Sequence, residues 1–183
     1  NENLANHVEM SPEEATELVI QDRLAHQKII DHEIENNGFF YIYSRYADST
    51  GAYQVSQGAD WKEIYNKHRF EEPTGTRMPD ITIYLDISVE ESLRRAKKQV
   101  KQDLFDTKED LLRKLESAYA FWFEQINKKH DRIVLYVNGE QSPEQVAEEM
   151  KEKVTQAIRD NYERFKPKAG SDSSRLTRLS REG

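Results

Sequence analysis

Two rhythms of apolar residues alternate along the chain. Short runs rich in Ile, Val, Tyr and Phe, bounded by turn residues, occupy 39–44, 81–87 and 133–137. Runs of that kind predict β-strands. A longer stretch with helical spacing follows each of them: 49–69 with an interruption, then 89–99 and 108–129, then 143–165. Another helix precedes them, and the pattern predicts that it runs to about Asn36 and stops at Gly38. Helix starts share one grammar, with Ser at the cap and Glu or Gln three residues on: Ser11 with Glu14, Ser88 with Glu91, Ser142 with Gln145. That is the capping box, and Pro12 and Pro143 take the first helical position in two of them. Strands alternating with helices predict an α/β fold, a parallel sheet with flanking helices on both faces. From Lys166 onward the apolar rhythm ends, so a domain over 1–165 with a disordered tail at 166–183 is expected.

Composition narrows the class. Of 183 residues 33% are charged and 36% hydrophobic, and no apolar run approaches the roughly 20 residues of a membrane span. No signal-peptide pattern opens the chain, so a cytoplasmic protein without a membrane partner is expected. Cysteine is absent, which excludes disulfides and thiolate chemistry. A net charge of -7 argues against nucleic acid, whose binding depends on surplus Lys and Arg. The five histidines show no metal-ligand spacing, and most of them read as surface or boundary residues. Trp61, Tyr65, Tyr119, Phe121, Trp122 and Phe123 read as core or interface, with Tyr119 approaching a pocket.

Candidate chemistry is concentrated at 44–54. Arg45 follows the first apolar run, at the carboxyl end of an expected buried strand, where open α/β sheets bind ligands. An arginine there can hold a phosphate with two parallel hydrogen bonds, or it can be salt-bridged at the strand end. Ser49, Thr50, Tyr53 and Gln54 supply hydroxyl and amide groups for a sugar or a base. A short amphipathic helix with Ala52 and Tyr53 in the core is the competing reading.

The segment Ser44-Arg45-Tyr46-Ala47-Asp48-Ser49-Thr50-Gly51-Ala52-Tyr53-Gln54 resembles the thymidylate kinase signature, Asp-Arg-Tyr followed by Ser-(Ser/Thr)-x-Ala-Tyr-Gln, with Ser44 in the place of the acid. Asp22-Arg23-x-x-His26 is similar to the Asp-Arg-x-x-His of archaeal-type members. Met78-Pro79-Asp80-Ile81-Thr82-Ile83-Tyr84-Leu85-Asp86 is similar to the family's Pro-Asp strand, and 95–106 occupies the place of its basic lid. The resemblance covers about 12–165. It implies a P-loop nucleoside monophosphate kinase fold and transfer of the ATP γ-phosphoryl group to dTMP, giving dTDP. It further implies ATP with Mg2+, with no magnesium ligand identifiable in the sequence, and a homodimer. By the same resemblance Arg45 holds the acceptor phosphate and Arg95, from the lid, meets the transferring group. Arg23 contacts the thymine, with Val19 where a stacking Phe often stands. Tyr53 disfavours a ribose 2′-hydroxyl, and Ser49, Thr50 and Gln54 read the base edge.

Departures from the family's pattern are specific. Gln99 and Leu104 replace basic lid residues. None of the seven glycines has the Gly-x-x-x-x-Gly-Lys-(Ser/Thr) spacing of a P-loop. The first strand and P-loop are therefore expected to be missing from these 183 residues, which by themselves should be inactive. A start at Asn1 rather than Met fits a chain that extends upstream, while Ser44, Gln99 and Leu104 fit a degenerate member. The alternatives are a catalytically inactive nucleotide-binding or interaction protein, and a deoxynucleoside kinase, whose Glu-Arg-Ser pattern is not found in this sequence.

Overall fold

Helix α1 (Pro12–Asn37) ends one residue before Gly38, close to where the apolar pattern predicts. The computed structural model describes residues 12–37, 41–98 and 109–165. After α1 come α2 (Ala47–Ser56), α3 (Trp61–His68), β1 (Ile81–Asp86), α4 (Val89–Ala96), α5 (Glu109–Asn127), β2 (Ile133–Asn138), α6 (Pro143–Asp160) and α7 (Tyr162–Phe165). The chain divides into two compact units, one drawn from 1–28, 44–78 and 110–129, the other from 29–43, 79–109 and 130–183.

The first unit is helical. Its core is built on Ile20, Ala52, Trp122 and Ile126, none more than 1% exposed. Burying a side chain the size of Trp122 stabilises by about 3 kcal/mol or more. At Gly51 an added Cβ would fall inside the Trp122 ring, so only glycine admits α5 this close to α2. Helix α3 starts at Asp60, whose carboxylate accepts from the Lys62 N–H at 2.9 Å, and ends at Arg69 in the left-handed conformation. The loop that follows is closed by the Thr76 N–H on the His68 carbonyl at 2.9 Å.

The second unit holds a parallel strand pair. β1 and β2 run in register from Ile81 opposite Ile133 to Asp86 opposite Asn138. Tyr84 and Tyr136, directly opposite, meet edge to face at 5.6 Å, as favourable cross-strand pairs do. Val137 is buried. Helix α6 opens with the complete capping box: Ser142 accepts from Gln145 N–H, and the Gln145 side chain accepts from the Ser142 N–H at 3.1 Å.

Two expectations are corrected. At α4 the box is half made. Ser88 Oγ accepts from Glu91 N–H, but the Ser88 N–H donates to Glu140 at 3.2 Å. Glu91 is instead engaged by Arg94 and Arg95, whose two guanidinium groups hold its carboxyl down at about pH 2. The other correction concerns 39–44. Tyr41–Tyr43 form no strand, and Ile42 is 96% exposed, so Arg45 does not end a buried strand. An extended run becomes a strand only where another strand takes its N–H and C=O groups, and among the described residues none pairs with it. The Ser11 cap, Phe39, Phe40, Gln99, Leu104 and the expected tail at 166–183 lie outside the described residues.

Candidate functional site

Five of the residues singled out by sequence lie together in the first unit, around the start of α2. Arg45 precedes the helix with φ 62°, a left-handed conformation that costs an L residue about 1–2 kcal/mol. Backbone strain of that kind is concentrated at functional sites. The Arg45 guanidinium is exposed and stacks 4.7 Å over the Tyr53 ring. A guanidinium carries its N–H donors in a planar fork that matches phosphate oxygens.

Arg23 reaches the same helix from α1. Its guanidinium lies 4.7 Å over the Tyr46 ring, and Nη2 donates to Thr50 Oγ1 at 3.4 Å. Tyr46 donates to the Gln27 side-chain oxygen at 3.1 Å, and that oxygen also accepts the Arg77 N–H at 3.0 Å. One buried amide thus ties α1 to both sides of the segment. From α5, Tyr119 bonds Ser49 Oγ at 2.9 Å and Trp122 Nε1 donates to the Asp48 carboxylate at 2.9 Å. Burial pushes the Tyr119 hydroxyl up, against the pull of its bond to Ser49 and of the Arg45 charge.

The remaining candidates sit differently. Val19 lies on α1 one turn before Arg23 and is 46% exposed. Gln54 is partly buried on α2. Arg95 belongs to the second unit, where it donates to Glu91 at 2.7 Å, and Arg94 shares that carboxylate. Among the described residues no group of three His, Asp or Glu side chains is placed to hold a metal ion.

Sequence reasoning missed Asp48, Gly51 and Gln27 as builders of this site. It also did not single out His68 from histidines that mostly read as surface or boundary. His68 is fully buried, Nδ1 lies 3.3 Å from Thr76 Oγ1, and the ring stacks on Phe70 at 4.7 Å. Burial, with the Arg23 charge as a smaller cause, holds its pKa down at about 3. Nothing in the local sequence of α3 marks it, because the groups that enclose it arrive from elsewhere in the chain.

Strained, exposed Arg45 beside hydroxyls and a second arginine suits a phosphorylated ligand with a polar ring, on a chain whose strands pair in parallel. The class is α/β, helices flanking a parallel strand pair. The thymidylate kinase family model matches residues 1–164, so the chain belongs to the thymidylate kinase family, which has the P-loop nucleoside monophosphate kinase fold. It is 37% identical over 102 residues to a probable thymidylate kinase of Methanococcus aeolicus, covering 56% of this chain and 48% of that one. It is 34% identical over 134 residues to a probable thymidylate kinase of Sulfolobus acidocaldarius, covering 72% and 61%. A thymidylate kinase of Mesoplasma florum is 28% identical over 156 residues, covering 82% and 70%. The match thus spans 48% to 70% of the length of these relatives.

Proposed function

We propose that this chain serves transfer of the ATP γ-phosphoryl group to the 5′-phosphate of dTMP, giving dTDP, and that the start of α2 holds the dTMP. The observation that carries this reading is the convergence of Arg45, Tyr53, Ser49, Thr50 and Arg23 on one helix start. Arg45 clamps the acceptor phosphate. Tyr53, held under that guanidinium, crowds a ribose 2′-hydroxyl. Arg23, Ser49, Thr50 and Gln54 face the base edge, and Val19 offers an apolar contact to the thymine methyl. Arg95 is assigned to the transferring phosphoryl group, whose charge is spread over its oxygens in the transition state.

ATP enters this reading with Mg2+, which would supply positive charge to offset that of its phosphates. Among the described residues no group of three His, Asp or Glu side chains is placed to hold the ion, and apart from Arg95 the residues named are assigned to the acceptor side. No described helix is long and apolar enough to cross a membrane. A free nucleotide as substrate fits a cytoplasmic protein. Leu18, 52% exposed, and Phe121, 39% exposed, are apolar surface that a homodimer would cover. Exposed Ser44, where the family's signature has an acid, favours a second reading in which nucleotide is bound without transfer.

Calorimetric titration with dTMP, thymidine and UMP tests the proposal. dTMP should bind at least tenfold more tightly than thymidine, because a charge-assisted phosphate contact contributes roughly 1.5–3 kcal/mol. It should exceed UMP by up to about tenfold, the methyl being worth roughly 1 kcal/mol. Equal affinities for dTMP and thymidine would refute the phosphate site.

A further inference from the structure

Gln27 is 3% exposed, so its amide is withdrawn from water and must find its bonds inside the protein. Its side-chain oxygen meets the Arg77 N–H at 3.0 Å and the Tyr46 hydroxyl at 3.1 Å. A backbone N–H can only donate, which fixes the oxygen of the amide, rather than its nitrogen, at this spot. The Tyr46 hydroxyl therefore donates as well, and both lone pairs of the Gln27 oxygen are engaged. Tyr46 cannot swing away without breaking that bond, so its ring is held from the hydroxyl end.

The same ring seats Arg23. Arg23 and Gln27 lie one turn apart on α1, and so on one face of it. The Arg23 guanidinium lies 4.7 Å over the Tyr46 ring, and Nη2 donates to Thr50 Oγ1 at 3.4 Å. The ring contact and the Thr50 bond together set where the guanidinium sits. An apolar side chain at 27 would leave the Arg77 N–H and the Tyr46 hydroxyl without this acceptor.

We infer that Gln27 is a positioning residue for binding of the ligand's base: by accepting from the Tyr46 hydroxyl it fixes the ring that seats Arg23, and with it the reach of Arg23 toward the base. This deepens the proposed function and rests on its assignment of Arg23 to the base edge. Gln27 is buried and acts through Tyr46, not on the ligand. Its bond to the Arg77 N–H keeps the amide from turning its nitrogen toward the phenol. Arg45, which carries the phosphate in the same proposal, is not part of this chain of contacts.

The test is titration of thymidine and dTMP into the 183-residue chain and its Tyr46→Phe, Gln27→Met and Gln27→Glu variants, with melting curves for each. Tyr46→Phe keeps the ring and removes only the hydroxyl, so it should melt close to the parent. Its thymidine affinity should fall about five- to tenfold, the worth of one hydrogen bond. dTMP should weaken by the same factor, leaving unchanged the ratio between the two ligands, which reports the phosphate contact. Gln27→Met, similar in length but without the acceptor, should weaken both ligands at least as much and lower the melting temperature, because the Arg77 N–H loses its partner. Gln27→Glu, whose carboxylate can accept both bonds, should restore the binding that Gln27→Met loses. A Tyr46→Phe protein that melts like the parent and binds thymidine as tightly overturns the inference. So does a folded Gln27→Glu protein that binds no better than Gln27→Met. If Tyr46→Phe fails to fold, parent-like thymidine affinity in Gln27→Met overturns it equally. Arg23→Ala separates the inference from the reading beneath it. Where Arg23→Ala weakens thymidine and the Tyr46 and Gln27 variants do not, the base site stands and the inference falls. Where Arg23→Ala binds thymidine like the parent, the base assignment falls and takes the inference with it.

Discussion

Helices α6 and α2 begin in opposite ways. At α6 the first turn is closed by its own side chains, Ser142 and Gln145 satisfying each other's backbone N–H groups. At α2 the cap position is Tyr46, which makes no side-chain cap bond, and the residue before it is strained Arg45. The acid of that first turn, Asp48, is buried and bonded to Trp122. A capped start is a stability device. An uncapped start leaves backbone donors and the positive end of the helix dipole for an anion. Local stability has been given up at the helix whose surroundings carry the candidate ligand groups, and packing from α5 compensates for it.

The largest effect should come from removing that packing. Trp122→Ala should destabilise the chain by about 3–5 kcal/mol in urea unfolding, because it empties a buried site and strips the Asp48 carboxylate of a donor. A loss below about 1 kcal/mol would mean that α5 does not hold α2. Next comes the buried histidine. His68 stays neutral in the folded chain down to about pH 3, whereas the unfolded chain takes up the proton below 6.5. Its contribution is therefore complete above pH 6.5 and is lost as pH falls toward 3. Between pH 7 and pH 5 the parent should lose about 2 kcal/mol more than His68→Gln. Parallel stability profiles for the two proteins would show that His68 titrates normally. The smallest effect belongs to the capped helix: Ser142→Ala should cost about 1 kcal/mol and leave dTMP affinity unchanged. A change in that affinity would erase the contrast between the two helix starts.

What could be read from sequence was local. The Ser142 box lies within four residues, and α1 ends at Asn37, close to where the local pattern placed a stop. Arg45 and Tyr53 lie within one short segment, which is why motif reasoning singled out both, though not the contact between them. The remainder depended on partners distant in the chain. Trp122 meets Asp48 across 74 positions, and Tyr119 meets Ser49 across 70. The Ser88 box failed because Glu140, 52 residues away, took the N–H that Glu91 was expected to bind. The strand expected at 39–44 is not made at Tyr41–Tyr43 for a related reason: β propensity there is not a strand without a neighbour to pair with. The burial of His68 was not legible because burial is decided by what folds over a residue.

The central claim is that Arg45 anchors a phosphate. It is tested most directly by titrating dTMP and thymidine against the parent, Arg45→Lys and Arg45→Ala, with a melting curve for each. Both variants should lose about ten- to a hundredfold in dTMP affinity, lysine nearly as much as alanine, because an ammonium keeps the charge but not the planar two-pronged match. Thymidine should bind all three alike, and the melting temperatures should stay close to the parent's. An Arg45→Ala protein that binds dTMP as tightly as the parent would contradict the account at its strongest residue.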